Sequence, residues 1–198
     1  AGLHKNALSY KSIDRLPLTF SYPLPEDFPF QPLSNGMIYR SNENMLYNEL
    51  ISAWGMSIAA RNLIGDDLPP TIRPNWGTVL VASVLGGTPE QQEDHNPWIR
   101  RDDAKPIFLK TIADSFSSVD EGYLQNAGWI PRVLDTYEFY HDVLAAYPEL
   151  KEILRITLPD LQGPLDSVEM VRGGELFVEM VDSSEDVKAA LQGAAKIQ

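Results

Sequence analysis

A short β-branched run at residues 153–158, ILRITL, is the feature that most constrains the fold of this chain. Its length and composition favour a buried strand. A helical pattern precedes it at residues 131–147, and another begins after it at residue 166. This order of helix, strand and helix predicts an α/β fold with parallel strands.

A second candidate strand ends at residues 72–75. The small apolar residues 77–85 follow it, and they favour a buried helix, although their β-branching would also allow a strand. Two strands are few for 198 residues. The shortage indicates that the chain forms part of a larger sheet or barrel.

The N-terminal region differs from the rest in its proline content. The dense prolines of residues 16–36, LPLTFSYPLPEDFPFQPLSNG, prevent regular helix. Roughly residues 1–40 are therefore expected to be an arm separate from residues 41–198. The arm packs on a surface or is a loose tail, and its aromatic residues favour packing. These aromatic residues are Phe20, Tyr22, Phe28 and Phe30.

Beyond the arm, residues 41–62 have helical spacing, and Ser41 is placed to cap the helix. The segment at residues 90–106, EQQEDHNPWIRRDDAKP, is charged and rich in turn formers. It is expected to be a surface loop.

Charge and composition exclude several classes of partner. The net charge is −12, from 16 basic and 28 acidic residues, which argues against nucleic acid and anionic membrane surfaces. No apolar run approaches the ~20 residues that span a bilayer. The chain has no cysteine and no histidine pair with metal-ligand spacing, so no metal site is expected within it. A cytoplasmic location is the simplest expectation.

Polar residues follow the first candidate strand. Asp160, Gln162 and Asp166 surround a Gly-Pro turn, where parallel α/β folds bind ligands. A carboxylate at this position can accept a proton or orient a substrate. The alternative is structural: Asp166 or Ser167 caps the next helix and Asp160 forms a polar turn. The residue pattern by itself slightly favours this alternative.

Other candidate binding residues lie near the second strand and in the charged loop. Arg73 could bind a carboxylate through two hydrogen bonds, and Asn75 follows it. Trp98 lies in the charged loop close to His95. A histidine side chain can act as an acid or a base near neutral pH. A solvated surface arginine and a solvated histidine are the alternatives.

The order of these segments resembles the uroporphyrinogen decarboxylase-like superfamily. The resemblance rests on IRPNWGTVLVASVLGGTPEQQEDHNPW at residues 72–98 and on ILRITLPDLQGPLDSVEMVRGGELFVEMVDSSEDVKAAL at residues 153–191. The shared pattern is Asn-x-Gly-Thr, a Pro-Trp loop, and Asp-x-Gln-Gly-Pro-x-Asp before a Glu-Leu-Phe helix. It covers roughly residues 70–192.

The resemblance implies a (β/α)₈ TIM barrel whose binding pocket opens at the carboxyl ends of the strands. A full barrel needs about 250 residues, so this chain would be its N-terminal half, helix-rich with few parallel strands. The zinc ligands of the methyltransferase members would lie in the other half. The pocket aspartate and tyrosine of the decarboxylase fall at Gly77 and Met170 here, so decarboxylation of uroporphyrinogen is not expected.

The resemblance therefore implies methyltransferase-like chemistry on a small methylated or carboxylated substrate. By this resemblance, Asp160 and Asp166 would be the catalytic residues. The substrate-binding residues would be Arg73, Asn75, Trp98 and Gln162. Zinc and a corrinoid, carried by a partner protein, would belong to the complete protein, and a second chain or the missing half would complete the barrel.

Two alternatives remain open at this point. The chain could be a non-enzymatic binding or assembly module, in which two half-barrels pair as a dimer through an exposed sheet edge. It could also be a small unrelated α/β domain.

Overall fold

The computed structural model describes residues 2–18, 24, 26–64, 67, 69–102, 106–116 and 119–198, without the side chains of residues 2, 4, 5 and 56–64. The chain divides into two compact units. Unit 1 contains residues 1–74 and 138–157, and unit 2 contains residues 75–137 and 158–198. Each unit has its own hydrophobic core.

The described residues form eleven helices and four short strands. In chain order these are α1 (Gly2–Leu8), α2 (Asn35–Ile38), α3 (Asn42–Ile64), β1 (Thr71–Ile72), α4 (Leu80–Val84), β2 (Thr88–Glu90), β3 (Trp98–Arg100), α5 (Leu109–Ser115), α6 (Glu121–Leu124), α7 (Ile130–Ala146), α8 (Pro148–Ile153), β4 (Arg155–Ile156), α9 (Pro164–Arg172), α10 (Glu175–Asp182) and α11 (Ser184–Ala195). The predicted helices at residues 41–62 and 131–147 correspond to α3 and α7.

The start of α3 follows from a local capping interaction in unit 1. The Asn44 backbone N–H donates to Ser41 Oγ at 3.2 Å, so Ser41 caps the helix as predicted. Leu46 then packs with Ile72 of β1 and Tyr140 of α7 in the core of unit 1.

The only parallel pair among the described strands joins β1 to β4, with Thr71 opposite Arg155 and Ile72 opposite Ile156. This pairing agrees with the predicted parallel arrangement. The pair is shorter than the six-residue strand expected at 153–158. Prolines at positions 70 and 74 flank β1, and because proline cannot donate to a ladder they limit the pairing.

Residues on both sides of β4 consequently adopt other structure. Ile153 ends helix α8, which begins at Pro148. Leu158 is 72% exposed and lies beyond the strand. The prediction of a buried strand over 153–158 is therefore wrong in length and in burial, because β4 consists of Arg155, which is exposed, and Ile156, which is half-buried.

Unit 2 is a helical unit built around α4, whose residues are all buried. This burial confirms the predicted helix within residues 77–85. Gly87 lies just beyond α4, and a Cβ there would come within 2.8 Å of Ile99 Cγ2 and 2.9 Å of Val171 Cγ1. The absence of a side chain at Gly87 thus lets α4 approach both β3 and α9 closely.

The predicted surface loop at 90–106 is wrong in part. Strands β2 and β3 form an antiparallel hairpin in which Pro89 pairs with Ile99 and Glu90 pairs with Trp98. Ile99 is buried, whereas its neighbours Trp98 and Arg100 are exposed. Ile99 is the one residue of β3 that faces inward. The charged residues around it leave no alternation of apolar and polar residues from which a strand could be predicted.

Part of the aromatic arm packs on α3. Phe28 and Phe30 lie with ring centroids 5.6 and 5.4 Å from Trp54. Phe20 and Tyr22 fall outside the described residues. The boundary of the arm at residue 40 remains a prediction.

The described residues therefore form a mostly helical α/β structure with few strands. It contains two sheets of two strands each: the β1–β4 sheet is parallel, and the β2–β3 sheet is antiparallel. The half-barrel remains a prediction.

Candidate functional site

The β1–β4 pair gives the chain a carboxyl edge of the kind that binds ligands in parallel α/β folds. The Thr157 backbone N–H donates to the Ile72 carbonyl at 2.9 Å, which extends the pair by one bond. The segments after Ile72 and after Thr157 leave the pair at this edge. The predicted site residues Arg73, Asn75, Asp160 and Gln162 lie on these two segments.

The segment after β4 brings Asp160 and Gln162 together in unit 2. Gln162 Nε2 donates a long hydrogen bond, 3.4 Å, to Asp160 Oδ1, and both residues are half-buried. Ser167 Oγ donates to the Gln162 carbonyl at 3.2 Å, and Gln198 Nε2 donates to the same carbonyl. These contacts position the loop in which the half-buried Asp160 lies.

Asp166 occupies the first turn of α9, where the helix dipole favours a carboxylate. Its side chain is exposed. Gly163 is the N-cap residue, and no side chain caps the helix. The capping role considered for Asp166 or Ser167 is therefore not observed.

Arg73 lies in unit 1, within a polar cluster at the end of β1. Its backbone N–H donates to Glu49 Oε2 at 3.0 Å, and its carbonyl accepts from the Tyr140 hydroxyl at 3.4 Å. Burial, together with the nearby Glu49 charge, raises the pKa of Tyr39 to about 12, and the Arg73 charge opposes this rise. The same two causes, burial first and Glu49 second, raise the pKa of Tyr140 well above its usual range.

Asn75 and Trp98 belong to unit 2. Asn75 is half-buried directly before Trp76. Trp98 lies on the outer side of the β2–β3 hairpin and is 52% exposed. The structure thus brings Asp160 and Gln162 into contact and places Asp166 on the same segment, while Arg73 belongs to the other unit.

An aromatic cluster in unit 2 was missed by the sequence reasoning. The buried Trp76 packs edge to face on Trp129 with ring centroids 5.7 Å apart. The Arg132 guanidinium carbon lies 4.7 Å from the Trp129 ring centroid and 5.5 Å from that of Trp76. Trp76 lies on the segment that leaves β1, and Gly77, with a φ of +73°, turns the chain immediately after it. The only local signals were two tryptophans and a Pro-Arg pair, far apart in the chain.

A cavity of about 1060 Å³ lies at the opposite end of α9 from Asp166. Arg100, Arg101 and Arg172 are among its lining residues. Arg172 Nη2 contacts Glu179 Oε1 at 2.7 Å, and Arg101 Nη1 lies 3.8 Å from Glu169 Oε1. A nine-residue helix is ~13 Å long, so this cavity is distinct from the Asp160 segment. The carboxylates of Glu169 and Glu179 offset two of its three positive charges, and Asp102 and Glu175 also line the cavity. We therefore favour the segment after β4, with Asp160, Gln162 and Asp166, as the candidate site.

The described residues do not fit a zinc site. They contain no group of three histidine, aspartate or glutamate side chains that could hold a metal ion. Cysteine is absent from the whole sequence. Within the same residues, no helix combines the length and the apolar character needed to cross a bilayer.

Comparison with known proteins gives a match at the level of structure. No family model matches the chain, and no curated protein sequence matches it. A methyltransferase from Methanosarcina mazei aligns with 97% of this chain at a TM-score of 0.55 and 14% identity. The chain spans about half the length of that structure, 51%. The identity is low, so the match shows a shared fold, and the fold of this chain is like that of one half of a methyltransferase.

Proposed function

We propose that this chain forms the N-terminal half of a uroporphyrinogen decarboxylase-like barrel with methyltransferase-like activity. The observation that carries the proposal is the structural match, which takes in nearly all of this chain but only half of a methyltransferase. The order of motifs at residues 72–98 and 153–191 supports the choice of superfamily. The substrate would be a small methylated or carboxylated compound.

In this proposal the segment after β4 supplies the reactive carboxylates. Asp160 is half-buried and hydrogen-bonded by Gln162, so it can orient a substrate or accept a proton from it. Asp166, exposed in the first turn of α9, would serve as the second carboxylate. Gln162 would donate a hydrogen bond to the substrate. Arg73, Asn75 and Trp98 are assigned to substrate binding from their positions in the sequence.

Zinc and a corrinoid are assigned to the rest of the complete protein and to its partner. The described residues of this chain do not fit zinc, and no step is assigned to it here. A corrinoid-carrying protein is the methyl-group partner that the resemblance implies. The role of this chain would be to bind and orient the substrate through the segment that follows β4.

The direct test is Asp160→Asn in the complete protein. We expect methyl transfer from a panel of methylated amines, thiols and alcohols to free cob(I)alamin, followed by visible absorbance, to fall by about 100-fold or more. Asp182→Asn is the matched control, because Asp182 is an exposed carboxylate at the end of α10. Equal turnover of the two variants would remove Asp160 from the catalytic residues, and absence of methyl transfer by the unmodified protein would reject the activity.

A second candidate function is assembly without catalysis. Helix α10 exposes an apolar face formed by Phe177, Val178 and Val181, whose exposed fractions are 57%, 62% and 82%. Exposed apolar patches of this kind often mark protein contacts. Native mass spectrometry of the protein from its source distinguishes the candidates. A second chain or a much heavier polypeptide supports the completed barrel, whereas a homodimer of the 22.2 kDa chain supports assembly.

A further inference from the structure

An exposed arginine in unit 2 is held in place by two tryptophan rings. The guanidinium carbon of Arg132 lies 4.7 Å from the Trp129 ring centroid and 5.5 Å from that of Trp76. The two indoles are inclined by 77° to one another, so they form a corner against which the guanidinium rests. Contacts of this geometry are favourable cation–π interactions.

The corner itself is rigidly supported. Trp76 is buried, and its Nε1–H donates to Thr136 Oγ1 at 2.9 Å. Thr136 Oγ1 in turn donates to the Arg132 carbonyl at 2.7 Å, and the Trp129 backbone N–H donates to Ser83 Oγ at 2.9 Å. One side chain therefore links the buried indole to the backbone of Arg132. The arginine loses little additional freedom on binding a ligand, because its position is already restricted.

The hydrogen-bond donors of Arg132 are unused in the described part of the chain. Its guanidinium makes no ion pair and donates no hydrogen bond there, although the chain has 28 acidic and 16 basic residues. Arg101 and Arg172, by comparison, lie near glutamates. The paired N–H donors of the Arg132 guanidinium, its fork, therefore stay available for an acceptor.

We propose that Arg132 binds the carboxylate of a small monoanionic ligand whose apolar body lies against Trp129. A single guanidinium matches one negative charge and binds a carboxylate through two parallel hydrogen bonds. A dianion such as phosphate would need more cations than this cluster offers. If the chain has the proposed function, this ligand would be the carboxylated substrate. That last assignment rests on the proposed function, whereas the binding site does not.

The test is a titration of the full-length protein with sodium propionate, followed by the ¹⁵N-labelled indole signals of Trp129 and Trp76. Sodium chloride at equal ionic strength is the reference, and Trp129→Phe assigns the signals. We expect a saturable shift that Arg132→Gln weakens by about tenfold or more, the loss of a charge-assisted hydrogen-bonded pair. Arg132→Lys keeps the charge and the ring contact but lacks the fork, so it should also bind several-fold more weakly.

Arg40→Gln is the control, because Arg40 is also exposed and makes no ion pair in the described residues. It should change the propionate affinity by less than about twofold. A shift that is not saturable, that is equal in Arg132→Gln, or that phosphate produces at lower concentration than propionate overturns the proposal. Propionate binding in a protein that transfers no methyl group would leave this site standing and reject the proposed function alone.

Discussion

The two units have cores of different character. Among the described side chains, the buried cluster at the core of unit 2 is aliphatic apart from Met170 and Phe116, and the buried Trp76 lies outside this cluster. The smaller core of unit 1 is built around Tyr140, which is fully buried. Tyr140 donates only a long hydrogen bond, 3.4 Å, to the Arg73 carbonyl, and the charge of Glu49 acts on it.

The difference shows how each unit accommodates polar atoms. The buried polar residues of unit 2 are Ser83, Thr136 and Ser167, and each hydroxyl donates to a nearby carbonyl of the backbone. These hydroxyls do not titrate in the ordinary pH range. Unit 1 instead contains the two phenols whose pKa values burial raises most, Tyr39 and Tyr140. Burial also raises the pKa of Tyr137 in unit 2. Unit 1 should therefore be the more sensitive of the two to alkaline pH, and unit 2 the more sensitive to the loss of aliphatic volume.

The largest effect is expected from Leu176→Ala in unit 2. Leu176 has no exposed surface, so its truncation should leave a cavity and lower the free energy of unfolding by about 3 kcal/mol. Leu134→Ala is the matched control, since Leu134 is 44% exposed on α7, and it should cost less than about 1 kcal/mol. Urea denaturation measures both. Similar losses in the two variants would contradict the view that aliphatic packing stabilises unit 2.

A smaller effect is expected from Arg172→Gln at the edge of the same unit. Arg172 Nε and Nη2 donate to the two Glu179 carboxylate oxygens, and both side chains are mostly buried. Removing the cation leaves Glu179 unpaired, which should cost about 2 kcal/mol. Lys188→Gln removes an exposed pair with Glu185 and should cost less than about 0.5 kcal/mol. If Arg172→Gln lowers the free energy of unfolding by no more than Lys188→Gln does, the mostly buried pair is energetically equivalent to a surface pair.

The smallest effect tests the alkaline sensitivity of unit 1. The pKa of Tyr39 is raised to about 12 from an ordinary value near 10, so the folded state holds its proton more tightly than the unfolded state. The contribution of this proton to the free energy of unfolding is fully present below about pH 10 and is lost as the pH rises towards about 12. We expect Tyr39→Phe to reduce this decline by about 1 kcal/mol between pH 9 and pH 11.5. Urea denaturation at each pH gives the free energy of unfolding of both proteins. An equal decline in the two proteins over this pH range would refute the proposed difference between the units.

Local sequence signals predicted the helices well and the strands poorly. The helix at 41–62 was evident because its apolar spacing is regular and Ser41 caps it. The β2–β3 hairpin was missed because Ile99 is the only buried residue of β3. A strand with a single inward-facing residue has no detectable alternation, so the surrounding charged residues dominate its pattern.

The candidate site was predicted only where its residues are close in sequence. Asp160, Gln162 and Asp166 lie on one segment, and their relation to a preceding strand could be expected from general rules of α/β folds. The polar environment of Arg73 could not be expected, because Glu49 and Tyr140 come from distant helices. Hydrogen bonds between such distant residues leave no periodic trace in the sequence.

The sequence by itself determined the acidic character of the protein, the absence of cysteine and most of its helices. These properties depend on composition and on contacts within a few residues. The tertiary structure alone decided that Trp76 and Thr136, 60 residues apart, are hydrogen-bonded, and that Arg132 rests between two tryptophans. Such contacts arise from the packing of separate elements, and packing depends on the whole chain rather than on any local pattern.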